Sequence, residues 1–169
     1  MPRLWDDVRA LKELCSELKP PRRRVRPLSS ASVYYGLGDA SGAAFGATLQ
    51  HAVGSDSHYE FGQWRASVTA EESSNWREFT NLVEYVEGRA AEGGLDGAEV
   101  FMFTDNSTAE GAFWRGTSPS RKLCELVLRL RKLERYTGMI LHVIHVSGRR
   151  MIEAGVDGLS RADQSSGGM

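Results

Sequence analysis

AEVFMFTD, residues 98–105, decides the fold: an apolar run with almost no alternation that ends on an acid and passes into NST and a helical pattern. A strand covered on both faces reads this way, and such strands lie inside sheets beside parallel neighbours. The run predicts a central parallel strand followed by a short helix opened by Ser107 or Thr108. On its N-terminal side, SSNWREF (73–79) begins a longer helix, because Trp76, Phe79, Val83 and Val86 recur at helical spacing. Asn75 stands three residues before Glu78 in a capping-box arrangement, and Gly93-Gly94 ends that helix.

Further out, VYYGLGDASG (33–42), AAFGATLQHA (43–52) and HYEFGQWRAS (58–67) read as three successive strands, rich in aromatic residues and separated by Gly, Ser and Asp turns. They predict an antiparallel meander. On the C-terminal side, a helix from about Ser120 to Tyr136 carries Leu123, Leu126, Val127, Leu130 and Leu133 on one stripe. Gly138 closes it, and MILHVIHV (139–146) supplies a fifth strand. The order βββαβαβα predicts an α/β domain: a mixed five-stranded sheet, three antiparallel strands and then parallel ones, with helices on it.

Residues 3–19 read as an amphipathic helix with Leu4, Val8, Leu11, Leu14 and Leu18 near helical spacing, stopped by Pro20-Pro21. PPRRRVRP (20–27) then reads as a basic linker. The expected organisation is a helix and linker over 1–31, a catalytic domain over 32–163 and a disordered tail, QSSGGM, over 164–169. An appended helix of this kind points to a longer polypeptide whose preceding domain it would contact.

The 169 residues are 41% hydrophobic and 25% charged, a composition that suits one compact domain with its own core. The longest apolar runs are strand-length, which excludes a membrane-spanning helix. Cys15 and Cys124 stand alone without CxxC spacing and read as reduced thiols of an intracellular protein, in cytoplasm or nucleus. A net charge of −1 argues against strong nonspecific nucleic-acid binding by the domain alone. Charge is uneven, however: PPRRRVRP, SRK (120–122) and RLRKLER (129–135) are basic, whereas four acids stand at the junctions between elements.

Those acids are Asp39 in GLGDASG, Glu78 in SSNWREF, Asp105 in FMFTDNST and Asp157 in GVDGLSR. Each alone has a plain structural role: Asp39 in a turn, Glu78 as a capping partner, Asp105 as a helix cap. Together they have another. Acids at strand ends and helix openings can converge, and convergent hard oxygen ligands suit Mg²⁺. Two such ions about 4 Å apart clamp the attacking and leaving oxygens of a phosphodiester, which points to a metal-dependent nuclease. Ser41 and Gly42 beside Asp39 could approach a sugar-phosphate backbone closely. His142 and His145 stand three apart on a strand and so point to opposite faces; His145, at the strand end, is the candidate general acid or proton shuttle.

On these residues the chain resembles the ribonuclease H family, and within it the ribonuclease H domains of DIRS-like retroelement reverse transcriptases. The likeness covers roughly residues 32–161 and rests on SSNWREF, FTDNSTA and HVSGRRMIEAGVDGLSR, with the combined order D, E, D, H, D. It implies helices on both faces of the sheet and two Mg²⁺ ions, replaceable by Mn²⁺, on Asp39, Glu78, Asp105 and Asp157. It implies attack of activated water on the RNA strand of an RNA/DNA hybrid, leaving 5′-phosphate and 3′-hydroxyl ends. The hybrid would be read across its minor groove, with Ser41, Gly42, Asn75 and Asn106 as substrate contacts. The implied partner is an upstream reverse transcriptase polymerase domain, and a monomer is expected.

Two departures accompany the likeness. The interval from His145 to Asp157 is longer than in typical bacterial members, and FWRGTSPSRK (113–122) stands where some members insert a basic handle. The alternative is a silent ribonuclease H-fold module that holds hybrid or a polymerase partner without cutting, against which stand all four acids. An integrase would carry its last acid on a late helix. Nucleotide binding through GLGDASG fails because a phosphate cradle needs a helix N-terminus, and this glycine run leads into a strand and carries an acid.

Overall fold

The computed structural model describes residues 2–16, 32–41, 44–54, 57–63 and 73–149. Three strands come first: β1 (Val33–Ala40), β2 (Ala44–His51) and β3 (Ser57–Gln63), paired antiparallel in sequence order. Helix α2 (Ser74–Ala91) leads to β4 (Glu99–Thr104), which runs parallel beside β1. Helices α3 (Ser107–Arg115) and α4 (Arg121–Thr137) then lead to β5 (Ile140–His145), parallel to β4. The sheet order is β3-β2-β1-β4-β5, the mixed five-stranded sheet that the sequence predicts. The final helix expected after β5 lies outside the described residues.

The core forms where α2, α3 and α4 meet one face of this sheet. Phe79, Leu82, Val83 and Val86 of α2 meet Val100 and Met102 of β4, Leu141 and Val143 of β5, and Leu126 and Leu130 of α4. Gly36 makes this packing possible, because a Cβ there would sit 2.5 Å from the Thr48 carbonyl oxygen and 2.6 Å from Met102 Sδ. β4 departs from expectation. Val100, Met102 and Thr104 are buried, but Glu99, Phe101 and Phe103 are only half-buried, so among the described residues one face is covered. The second face instead carries its own stack: Tyr35 on Phe101 (5.4 Å between rings), and Phe101 on His142 (4.5 Å).

Caps fix the helix ends, and two fall where the sequence did not place them. Ser73, not Asn75, caps α2 by accepting from the Trp76 N–H; Ser73, Ser74 and Asn75 all suit the position, and geometry alone selects among them. Asn106, rather than Ser107, Thr108 or Asp105, caps α3 by accepting from the Ala109 N–H at 2.9 Å. At Gly138, φ of 69° closes α4 as expected.

Helix α1 (Pro2–Cys15) lies on α4 through polar contacts: Asp6 with Arg121 (3.2 Å), Glu13 with Lys132, and the Leu14 carbonyl with Arg135. Its apolar stripe is not used there. Leu4, Trp5, Val8 and Leu11 are exposed, Trp5 at 72%. Among the described residues no helix is long and apolar enough to cross a membrane.

Candidate active site

Strand register brings the first and third acids together. Leu37 of β1 lies opposite Phe103 of β4, so Asp39 and Asp105, each two residues further on, leave the same edge of adjacent parallel strands. Thr104 lies opposite His145 of β5, and the Val146 N–H extends that pairing to the Thr104 carbonyl at 2.8 Å. The carboxyl ends of parallel strands are where open α/β sheets expose chemistry. Asp39 is nevertheless buried, and it belongs to β1 itself rather than to the turn after it.

Glu78 joins them from the start of α2. Its carboxyl is pushed up to about 7, first by burial and then by the negative charges of Asp105 and Asp39. A hydrogen bond with Asn106 and the guanidinium of Arg77 act in the opposite direction and do not cancel those effects. Three acids that raise one another's proton affinity form a site short of positive charge.

Neutral amides hold this edge in place. Asn81, buried on α2, donates at 2.9 Å to the carbonyls of both Asp39 and Gly46, pinning the backbone of the first acid across β1 and β2. Sequence reasoning missed it; the signal was a lone amide inside the apolar stripe FTNLV. Asn106 is 4% exposed and donates to the Asn75 carbonyl at 3.1 Å, so the first turn of α2 is tied to the cap of α3. It stands in the interior, not on the surface where a substrate contact would lie.

The other expected residues are placed as follows. Asn75 is exposed in the first turn of α2. The Ser41 hydroxyl folds into its own turn, accepting from the Ala44 N–H at 3.0 Å. His145 is exposed at the end of β5, and its backbone N–H donates to Glu110 Oε1 at 3.0 Å. His142 bonds Glu99 at 3.0 Å, away from the acids. Beyond β5 the chain passes over Asp105, where a Cβ on Gly148 would stand 3.2 Å from Asp105 Oδ2. Gly42 and Asp157 lie outside the described residues.

Among the described residues no group of three or more His, Cys, Asp or Glu is arranged to hold a metal ion. The donor chemistry nonetheless fits one: the set is all carboxylate, and a cation would relieve the repulsion that lifts Glu78.

No family model matches the chain, and no curated protein matches it. Solved structures do. The RNase H1 of the halophilic archaeon Halobacterium salinarum is 19% identical, with a TM-score of 0.55 over 80% of this chain and 98% of that one. LC11-RNase H1, solved in complex with RNA/DNA hybrid, is 17% identical, with a TM-score of 0.56 over 76% of this chain and 92% of its own. At these identities the likeness establishes architecture: the chain has the ribonuclease H fold. The same fold is matched in the foamy viral protease-reverse transcriptase bound to RNA/DNA hybrid, at 12% identity and a TM-score of 0.51. There 87% of this chain aligns with 21% of the viral one.

Proposed function

We propose that this chain is a ribonuclease H that hydrolyses the RNA strand of RNA/DNA hybrids, using Mg²⁺ or Mn²⁺ on Asp39, Glu78, Asp105 and Asp157. The observation that carries this reading is the elevation of Glu78 by Asp39 and Asp105 at one edge of a ribonuclease H-fold sheet. Neighbours of the same fold solved with RNA/DNA hybrid support the substrate class. When bound, the divalent ions supply Lewis-acid activation of water and neutralise charge on the phosphodiester.

The chain's own residues do the rest. Asp39 and Asp105 offer oxygens from rigid strand ends, Glu78 from the first turns of α2, and Asp157 from the segment beyond Gly148. His145, exposed at the end of β5 with its backbone held by Glu110, is placed to carry a proton to or from the leaving oxygen. Ser41, Gly42 and Asn75 border the acids and are proposed to touch the hybrid.

The domain is proposed to act as a monomer behind a reverse transcriptase polymerase domain, whose surface would cover the exposed Leu4, Trp5, Val8 and Leu11 of α1. Cleavage of a labelled RNA/DNA hybrid tests the reading, beside single-stranded RNA and duplex DNA, with Mg²⁺, with Mn²⁺ and with chelator. Cutting restricted to the hybrid and abolished by chelator is expected. Hybrid binding at low salt without cutting would instead identify a silent module of the same fold.

A further inference from the structure

Asn106 makes more contacts between elements than any role on the surface would need. Its Oδ1 accepts from the Ala109 N–H at 2.9 Å and so opens α3. Its Nδ2 donates to the Asn75 carbonyl at 3.1 Å, in the first turn of α2. Its side chain also hydrogen-bonds Glu78, and its own N–H donates to Thr104 Oγ1 at 3.2 Å at the end of β4. It follows Asp105 directly in the chain. One buried amide therefore joins the strand end that carries Asp105 to the helix that carries Glu78.

We propose that Asn106 is a positioning residue that sets the separation of Glu78 from Asp105, a role that rests on the ribonuclease H reading above. The chemistry explains the residue type. Capping α3 requires an acceptor, while holding the Asn75 carbonyl and the Glu78 carboxylate requires donors; a carboxamide offers both at once. Aspartate would cap equally well but has no donor and adds a charge beside Glu78. Serine would cap but is too short to span both helices.

Asn106→Ser and Asn106→Asp separate this role from capping and from substrate contact. With the fold retained by circular dichroism, both variants are expected to lower kcat for hybrid by about ten- to a hundredfold, as small misplacements of reacting groups do. KM for hybrid should stay within about twofold. Raised KM with unchanged kcat would make Asn106 a substrate contact, and kcat within twofold of the parent would leave it a helix cap only; either result overturns the proposal. A second readout needs no activity. Amide hydrogen exchange at Arg77 and Glu78 should quicken by about tenfold in Asn106→Ser, because the tie to the Asn75 carbonyl is gone, while the α3 amides stay protected. Unchanged exchange there would refute the tie even if the parent chain proved inactive on hybrid.

Discussion

The two ends of β4 each carry an acid, and the molecule treats them differently. At the start, Glu99 is partnered by His142 at 3.0 Å, whose ring is stacked on Phe101. Just past the other end, Asp105 faces Glu78 and Asp39, and the only base acting on Glu78 is the weak influence of Arg77. An acid with a partner completes a surface. Three acids crowded together, with their backbones pinned by Asn81 and Asn106, keep a repulsion that folding alone would remove. The contrast separates a structural carboxylate from a functional one on the same strand.

Activity should divide the two ends most sharply. Glu78→Gln is expected to lower hybrid cleavage by about a hundredfold or more. Glu99→Gln should leave the rate within about twofold; an equal loss in both would erase the distinction. The pin on Asp39 comes next. Asn81→Ala leaves the Asp39 and Gly46 carbonyls without their buried donor, and urea unfolding should record a loss of about 2 kcal/mol.

Stability against pH gives a smaller effect with a definite sign. The Glu78 carboxyl is raised from 4.5 to about 7 in the folded chain, so protonation favours the fold. That contribution is complete below pH 4.5 and is lost as pH rises through 7. With chelator present, the folded state should be less stable at pH 8 than at pH 5 by about 1 kcal/mol, the group being only partly buried. Glu78→Gln should flatten the slope, leaving the part due to Glu84, whose carboxyl burial also raises. The smallest effect belongs to the partnered end, where Glu99→Gln should destabilise by less than about 1 kcal/mol.

Element type and order were legible in the sequence because they rest on periodicity. The stripe of α4 and the unbroken run of β4 leave few alternatives, and Leu123, Leu126, Val127 and Leu130 are buried as expected. Caps were less legible, since Ser73, Ser74 and Asn75 differ little in intrinsic preference and only the path of the preceding chain selects one. The convergence of Asp39, Glu78 and Asp105 could be suspected from their positions at element ends. The roles of Asn81 and Asn106 could not, because each depends on carbonyls 25 or more positions away: 81 to 39 and 106 to 75. Asp157 and the helix expected to follow β5 lie outside the described residues.

Hybrid cleavage by the parent chain and by Asp105→Asn, side by side in Mg²⁺, tests the central claim most directly, because this substitution keeps shape and removes one charge from the crowded edge. The expected result is cutting by the parent and none above background in the variant, with matching circular dichroism and melting. Equal cutting by both would contradict the account and move the chemistry away from the acids at the ends of β1 and β4.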